Sequence, residues 1–233
     1  MKVLLENWKR FLNEEQEERK KIFVLVGPPS VGKSTWIKGT FEEAPYIINR
    51  DDIVEQVASE YGWTYDDLFV SPPADAKEGD EDEKYGKVIP SPSWMTWQDF
   101  VFDKVLEANG KVQKIFVDRV SGAVPSGKHI VVDMTNMNSG ARARALKAIE
   151  GSEADYDKVA VVFEFEGSED IIKKVAAKRA EAAKRMGKSK TIPDAAFDRM
   201  FKSFEKIAGG EGFDEIVSVD NREMLKKLAA EEE

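Results

Sequence analysis

Short apolar runs alternate with longer amphipathic stretches along this chain. Lys21-Ile22-Phe23-Val24-Leu25-Val26 is almost wholly apolar and rich in β-branched residues, the pattern of a strand buried on both faces of a parallel sheet. Comparable runs recur at 45–49, 128–133, 158–165 and 215–220. Between them the spacing predicts helices near 33–42, 51–61, 94–121, 139–150, 169–187 and 194–208. Strand–helix alternation of this kind predicts an α/β fold, a parallel sheet flanked by helices on both faces. Ligands of such sheets lie at the carboxyl ends of the strands, which gathers Gly27, Asp51 and Asp133 into one expected neighbourhood. At the N-terminus, Leu4, Leu5, Trp8, Phe11 and Leu12 have helical spacing and acids follow soon after. That predicts an amphipathic helix over 1–20, packed on the domain, rather than a signal peptide.

The stretch from 62 to 93 breaks the alternation. It carries Asp66, Asp67, Asp75, Glu78, Asp80, Glu81, Asp82 and Glu83 together with Pro72, Pro73, Pro90 and Pro92. Its composition is that of a long surface insertion, either a solvated acidic loop or a flap over an acceptor site. Trp94 and Trp97, just beyond it, are expected in the core. The expected organisation is then a main domain over 21–220 that contains this insertion, followed by a C-terminal helix and tail over 221–233. The terminal Glu231-Glu232-Glu233 is expected to fray.

Composition narrows the class. A chain of 233 residues with 42% hydrophobic and 34% charged residues suits one globular α/β domain with a substantial core. It contains no cysteine, which excludes disulfides and thiolate metal sites and fits a reducing cytoplasm. No apolar run is long enough to span a bilayer. The 35 basic and 44 acidic residues give a net charge of −9. Proteins that coat themselves with nucleic acid are usually basic, so any nucleic-acid contact here is expected to be local.

The chemistry begins at Gly27-Pro28-Pro29-Ser30-Val31-Gly32-Lys33-Ser34-Thr35, which fits G-x-x-x-x-G-K-[ST] between a strand and a helix. Glycines in such a loop bring backbone N–H groups close to phosphate oxygens. Lys33 is expected to reach the β- and γ-phosphates of ATP and Ser34 to offer its hydroxyl to Mg²⁺, with the positive end of the next helix dipole behind them. A second cluster, Asn49-Arg50-Asp51-Asp52, follows the second strand. Phosphoryl transfer to a hydroxyl needs a base near the γ-phosphate. Asp51 fits that role with Asp52 as the spare, and one of the pair is expected to cap the helix that begins at Ile53.

GPPSVGKSTW, followed by YIINRDD and later DMTNMN, resembles the 5′-kinase domain of phage-type polynucleotide kinases, within the wider group of P-loop kinases that carry a D-x-T-N element. The resemblance covers about 21 to 205. It implies a P-loop fold with a helical lid, Mg²⁺-ATP as donor and a hydroxyl acceptor, a 5′-OH end of DNA or RNA. By resemblance Lys33 and Ser34 hold phosphate and metal and Asp51 is the general base. The family commonly has an arginine three residues after that aspartate, where it grips the acceptor's phosphate; here the position is Val54, and counting from Asp52 gives Glu55.

Asp133 ends an apolar strand, as the Mg²⁺-holding carboxylate of a P-loop protein does, and Asn138 is placed to cap the helix starting near Ser139. Over 169–192, Lys173, Lys174, Lys178, Arg179, Lys184, Arg185, Lys188 and Lys190 form a positive run in an acidic chain. It resembles the kinase lid, in which Arg185 is the best match to the lid arginine that closes on ATP and Arg179 the second; the plainer reading is a solvated helix face. Pro193 is expected to start the next helix. Arg142 and Arg144 are placed either to bind phosphate or to pair with surface acids. His129, the single histidine, has no partner in sequence that would make it catalytic. The function expected is an ATP-dependent kinase of nucleic-acid 5′-OH ends; the alternatives are the same chemistry on a small-molecule or nucleoside hydroxyl, and an ATP-hydrolysing module with a protein partner. Val54 and the charge favour the first alternative, the acidic insertion the other.

Overall fold

A computed structural model describes the backbone of residues 19–65, 81–82, 87–88, 94–186 and 191–230, with side chains for 19–65, 107–186 and 191–230. The expected N-terminal helix, most of the acidic insertion, the side chains of Trp94 and Trp97, Lys188, Lys190 and the terminal glutamates lie outside these residues. The chain forms two compact units. One holds the described residues through Asn49 with Arg119–Lys178 and those from Ile192 onward; the other holds described residues of Arg50–Asp118 and Arg179–Thr191.

The first unit is built on a five-stranded sheet. Its strands are β1 (Lys20–Val26), β2 (Tyr46–Ile48), β5 (Ile130–Val132), β6 (Tyr156–Phe163) and β7 (Glu215–Val219), in the spatial order β2-β5-β1-β6-β7. Every pairing is parallel, with Val24 opposite Val132 on one side and Ala160 on the other. Six of the seven β1 residues are buried, because helices cover both faces. Around the sheet lie α1 (Lys33–Thr40), α4 (Ser139–Leu146), most of α5 (Glu169–Arg185), α6 (Asp194–Lys202) and α7 (Arg222–Ala230). Phe23, Leu25, Val131, Val161, Phe163, Ile172, Phe197 and Leu225 fill one continuous core, each contributing about 1.5–3 kcal/mol of burial. The edge strand β7 instead alternates half-buried and exposed positions and leaves Ile216 53% exposed.

The second unit contains α2 (Arg50–Glu60), a ribbon of β3 (Glu81–Asp82) and β4 (Lys87–Val88), and α3 (Trp94–Ser121) up to Asp118. Within the acidic insertion, Glu81 pairs with Val88 and Asp82 with Lys87 in antiparallel register. Ile53, Val54, Val57 and Ala58 of α2 pack with Trp63, Ala108 and Val112.

Two helices end well short of where their periodicity predicts. The stretch expected over 139–150 is α-helical only to Leu146 and tightens into a 3-10 turn over Lys147–Ile149. The helix expected over 194–208 stops at Lys202, where the Glu205 N–H donates to the Met137 carbonyl at 2.8 Å and so leaves the helical ladder for a tertiary bond. Pro193 and Asn138 precede α6 and α4 as their sequences require, and the Asn138 side chain accepts from the Ala141 N–H at 2.9 Å. No helix among the described residues is long and apolar enough to cross a membrane.

Candidate functional site

The loop between β1 and α1 is held from three directions within the first unit. The Gly27 N–H donates to the Thr135 carbonyl at 2.9 Å. A Cβ at Gly27 would lie 3.1 Å from both Phe163 Cβ and Val31 Cγ1, so the backbone passes where a side chain would crowd it. Val31 is fully buried, and its carbonyl accepts from Asn221 Nδ2 at 3.2 Å. Gly32 has φ 106°, a left-handed conformation that glycine adopts without penalty. A Cβ there would meet Asn221 Nδ2 at 2.6 Å and Met224 Cε at 2.8 Å. Asn221, at the junction of β7 and α7, therefore belongs to the loop's supporting structure. It is 190 residues from Val31, and no local pattern marks it.

Lys33 opens α1 and folds back over the loop, its Nζ donating to the carbonyls of Gly27 at 2.8 Å and Pro28 at 2.9 Å. Gly32 gives α1 no side-chain cap, and its first turn has no acid. The first-turn N–H groups and the positive dipole end are thus arranged to take an anion. Pro28, Pro29 and Ser30 form the outer bend, with Ser30 at φ 63°, while Ser34 and Thr35 are exposed on the helix.

Asp133 follows β5. Its N–H donates to the Ile48 carbonyl at 2.9 Å, and its Oδ2 accepts from Asn49 Nδ2 at 3.2 Å. Three residues on, Asn136 is 1% exposed and left-handed at φ 46°, and its Nδ2 donates to the Leu25 carbonyl at 2.8 Å. Asparagine tolerates that conformation better than most residues. With the bond from Gly27 to Thr135, it ties the carboxyl end of β1 to that of β5. The T-N pair thereby sets the spacing between the loop and Asp133. Ser34 and Asp133 offer a hydroxyl and a carboxylate. Mg²⁺ typically takes one or two carboxylates, retained waters and substrate phosphates, so this oxygen donor set fits it. The Asn49 bond restrains the Asp133 carboxylate. Among the described residues no group of three or more His, Cys, Asp or Glu is arranged to hold a metal.

In the second unit, Asp51 and Asp52 lie within the first turn of α2, which begins at Arg50, rather than at its cap. Acids there are favoured by the helix dipole. Asp51 Oδ1 accepts from the Tyr65 hydroxyl at 3.3 Å. Burial above all, and then the Asp51 charge, push the Tyr65 phenol well above its ordinary pKa. Val54, where the resembled family has its acceptor-gripping arginine, is 3% exposed and part of the core.

The basic run along α5 has several roles. Lys173 pairs with Asp198 at 2.6 Å, and Lys178 Nζ donates to the Ala229 carbonyl at 3.1 Å near the end of α7. Arg179, Lys184 and Arg185 are exposed and belong to the second unit. Arg142 has a fully buried side chain that grips Glu211 through Nε at 2.6 Å and Nη2 at 2.8 Å. It is a structural arginine, and Glu211 is held below the usual carboxylate range chiefly by that hydrogen bond. His129 Nδ1 accepts from the Lys21 N–H at 3.0 Å, a structural role at the start of β1.

The family AAA_33, described as an AAA domain, matches residues 22–207. No curated protein sequence matches the chain. Among solved structures, a candidate kinase from Chloroflexus aurantiacus is similar at 10% identity and a TM-score of 0.49, over 92% of this chain and 94% of that one. A chain from the PezAT chromosomal toxin–antitoxin system of Streptococcus pneumoniae is similar at 13% identity and a TM-score of 0.44, over 94% of this chain and 77% of that one. At these scores neither structure bears on activity.

Proposed function

The chain belongs to the AAA_33 family of AAA domains, and from that premise we propose that it is an Mg²⁺-ATP-dependent phosphotransferase that passes the γ-phosphate to a hydroxyl acceptor, a 5′-OH end of DNA or RNA. The observation that carries the reading is the loop over Gly27–Thr35, with Lys33 spanning it and an uncapped, acid-free helix start behind it. Loop amides and Lys33 bind the phosphates of ATP. Ser34 and Asp133 hold Mg²⁺, which supplies charge neutralisation at the phosphate oxygens. Asp51 takes the proton from the acceptor hydroxyl, and Arg185, with Arg179, offsets charge on the transferring group. An arginine in that role contributes about 10³-fold or more.

The acceptor assignment rests on the joint occurrence of INRDD and TNMN with the loop. A second reading, a small-molecule or nucleoside hydroxyl, is favoured by one observation: Val54 faces the core, so α2 offers no cation for an acceptor phosphate at that position. Transfer from γ-labelled ATP to a 5′-OH oligonucleotide, run beside a panel of small hydroxyl compounds, separates the two. Label on the oligonucleotide supports the first, label on a small compound alone supports the second, and label on neither contradicts both.

A further inference from the structure

Tyr65 belongs to no phosphate-binding motif, yet its hydroxyl contacts the carboxylate to which proton removal is assigned above. The chain turns after α2, with the Trp63 N–H donating to the Ala58 carbonyl at 2.8 Å. The turn brings Tyr65 back against the core of Ile53, Val54, Val57 and Ala58. Half-buried there, its hydroxyl donates to Asp51 Oδ1 at 3.3 Å. The bond is long for its class, and contacts of this kind often tighten only in the substrate complex. The raised phenol pKa keeps the hydroxyl protonated, and so a donor, at any ordinary pH.

We propose that Tyr65 is a positioning residue that fixes the Asp51 carboxylate for proton removal from the acceptor hydroxyl. The inference rests on the reading of Asp51 as the base. A carboxylate accepts at about four lone-pair sites, so the bond from Tyr65 restrains its rotation while occupying one site on one oxygen. In the step itself the acceptor's proton passes to Asp51 and the acceptor oxygen bonds to the γ-phosphorus. The bond from that phosphorus to the β,γ-bridging oxygen breaks, and ADP leaves with the electron pair. Tyr65 keeps its proton throughout. Misplacement of a catalytic group by about 1 Å can cost about 10²-fold, the upper end of the effect expected here.

The test compares wild type, Tyr65→Phe, Asp51→Asn and the double variant. The readout is loss of γ-phosphate from labelled ATP to the 5′-OH oligonucleotide or, without transfer, to water, because both nucleophiles must lose a proton. Tyr65→Phe should lower kcat by about 10- to 10²-fold, leave KM for ATP within about twofold, and cause no further loss in the Asp51→Asn background. Wild-type kcat in Tyr65→Phe overturns the inference. So does an equal loss in both backgrounds, the mark of a merely structural tyrosine. Full activity in Asp51→Asn overturns the assignment of the base, and Tyr65 falls with it. A wild type that releases no γ-phosphate overturns the kinase reading itself.

Discussion

Gly32 and Lys33 are neighbours on which the phosphate loop depends in opposite ways, one by lacking a side chain and the other by using one. Lys33 Nζ donates to two loop carbonyls and is placed to meet phosphate, so Lys33→Ala should lower transfer by about 10²–10³-fold while the thermal midpoint stays near wild type. Gly32→Ala should do the reverse first. A left-handed alanine costs about 1–2 kcal/mol, and its Cβ must displace Asn221 and Met224. Calorimetry should show a midpoint lower by at least a few degrees, about 2–4 °C per kcal/mol for a chain of this size, with weakened ATP binding. Val54 tests the acceptor site from the other side. Because it is 3% exposed, Val54→Arg should destabilise the fold by several kcal/mol, as about that much is lost per unpaired buried charge. A Val54→Arg protein that is fully stable and gains oligonucleotide affinity would contradict its assignment to the core.

At the scale of elements, one buried ion pair ties α4 to the turn-rich segment between α6 and β7. Arg142 binds Glu211 bidentately and donates Nη1 to the carbonyls of Glu205 at 3.0 Å and Asn136 at 3.3 Å. Arg142→Ala leaves Glu211 without its buried partner and should cost about 3–5 kcal/mol in denaturant unfolding, although Arg142 touches no phosphate-binding residue of the loop. The pair also sets an acid limit. Glu211 is depressed below its ordinary 4.5 in the folded state, so its contribution is complete above that value and is lost as the pH falls through the folded pKa. Stability should decline on acidification below about pH 4.5, and Glu211→Gln should flatten that limb while lowering stability at neutral pH. None of this is legible in the sequence. Arg142 reads there as a phosphate ligand or a surface cation, and its partner lies 69 residues away. The early stop of α6 has the same cause, a tertiary bond from Glu205 that periodicity does not record. The starts of α4 and α6 are legible because Asn138 and Pro193 act on their own immediate backbone.

For the whole molecule, the parallel sheet and the phosphate loop are legible because each is written in contiguous residues. β1 carries an unbroken apolar run from Ile22 to Val26, and the G-x-x-x-x-G-K-S spacing lies directly behind it. The supports of the loop are not contiguous: Asn221 reaches it from the far end of the chain and Thr135 from the end of β5. Nor does the sequence reveal that Lys33 and Asp133 share one compact unit while Asp51, Arg179 and Arg185 fall in another. α3 and α5 each run from one unit into the other, and helical periodicity passes through such a boundary without a mark. Residues of both units are assigned above to phosphoryl transfer to a hydroxyl. Chromatographic separation of the labelled products formed from γ-labelled ATP, Mg²⁺ and a 5′-OH oligonucleotide, in wild type and Asp51→Ala, decides whether they serve it. The expected product is a labelled oligonucleotide that requires Mg²⁺ and disappears in Asp51→Ala, with ATP binding retained. Equal labelling by Asp51→Ala, or bound ATP whose γ-phosphate reaches neither the oligonucleotide nor any other hydroxyl, would contradict that assignment.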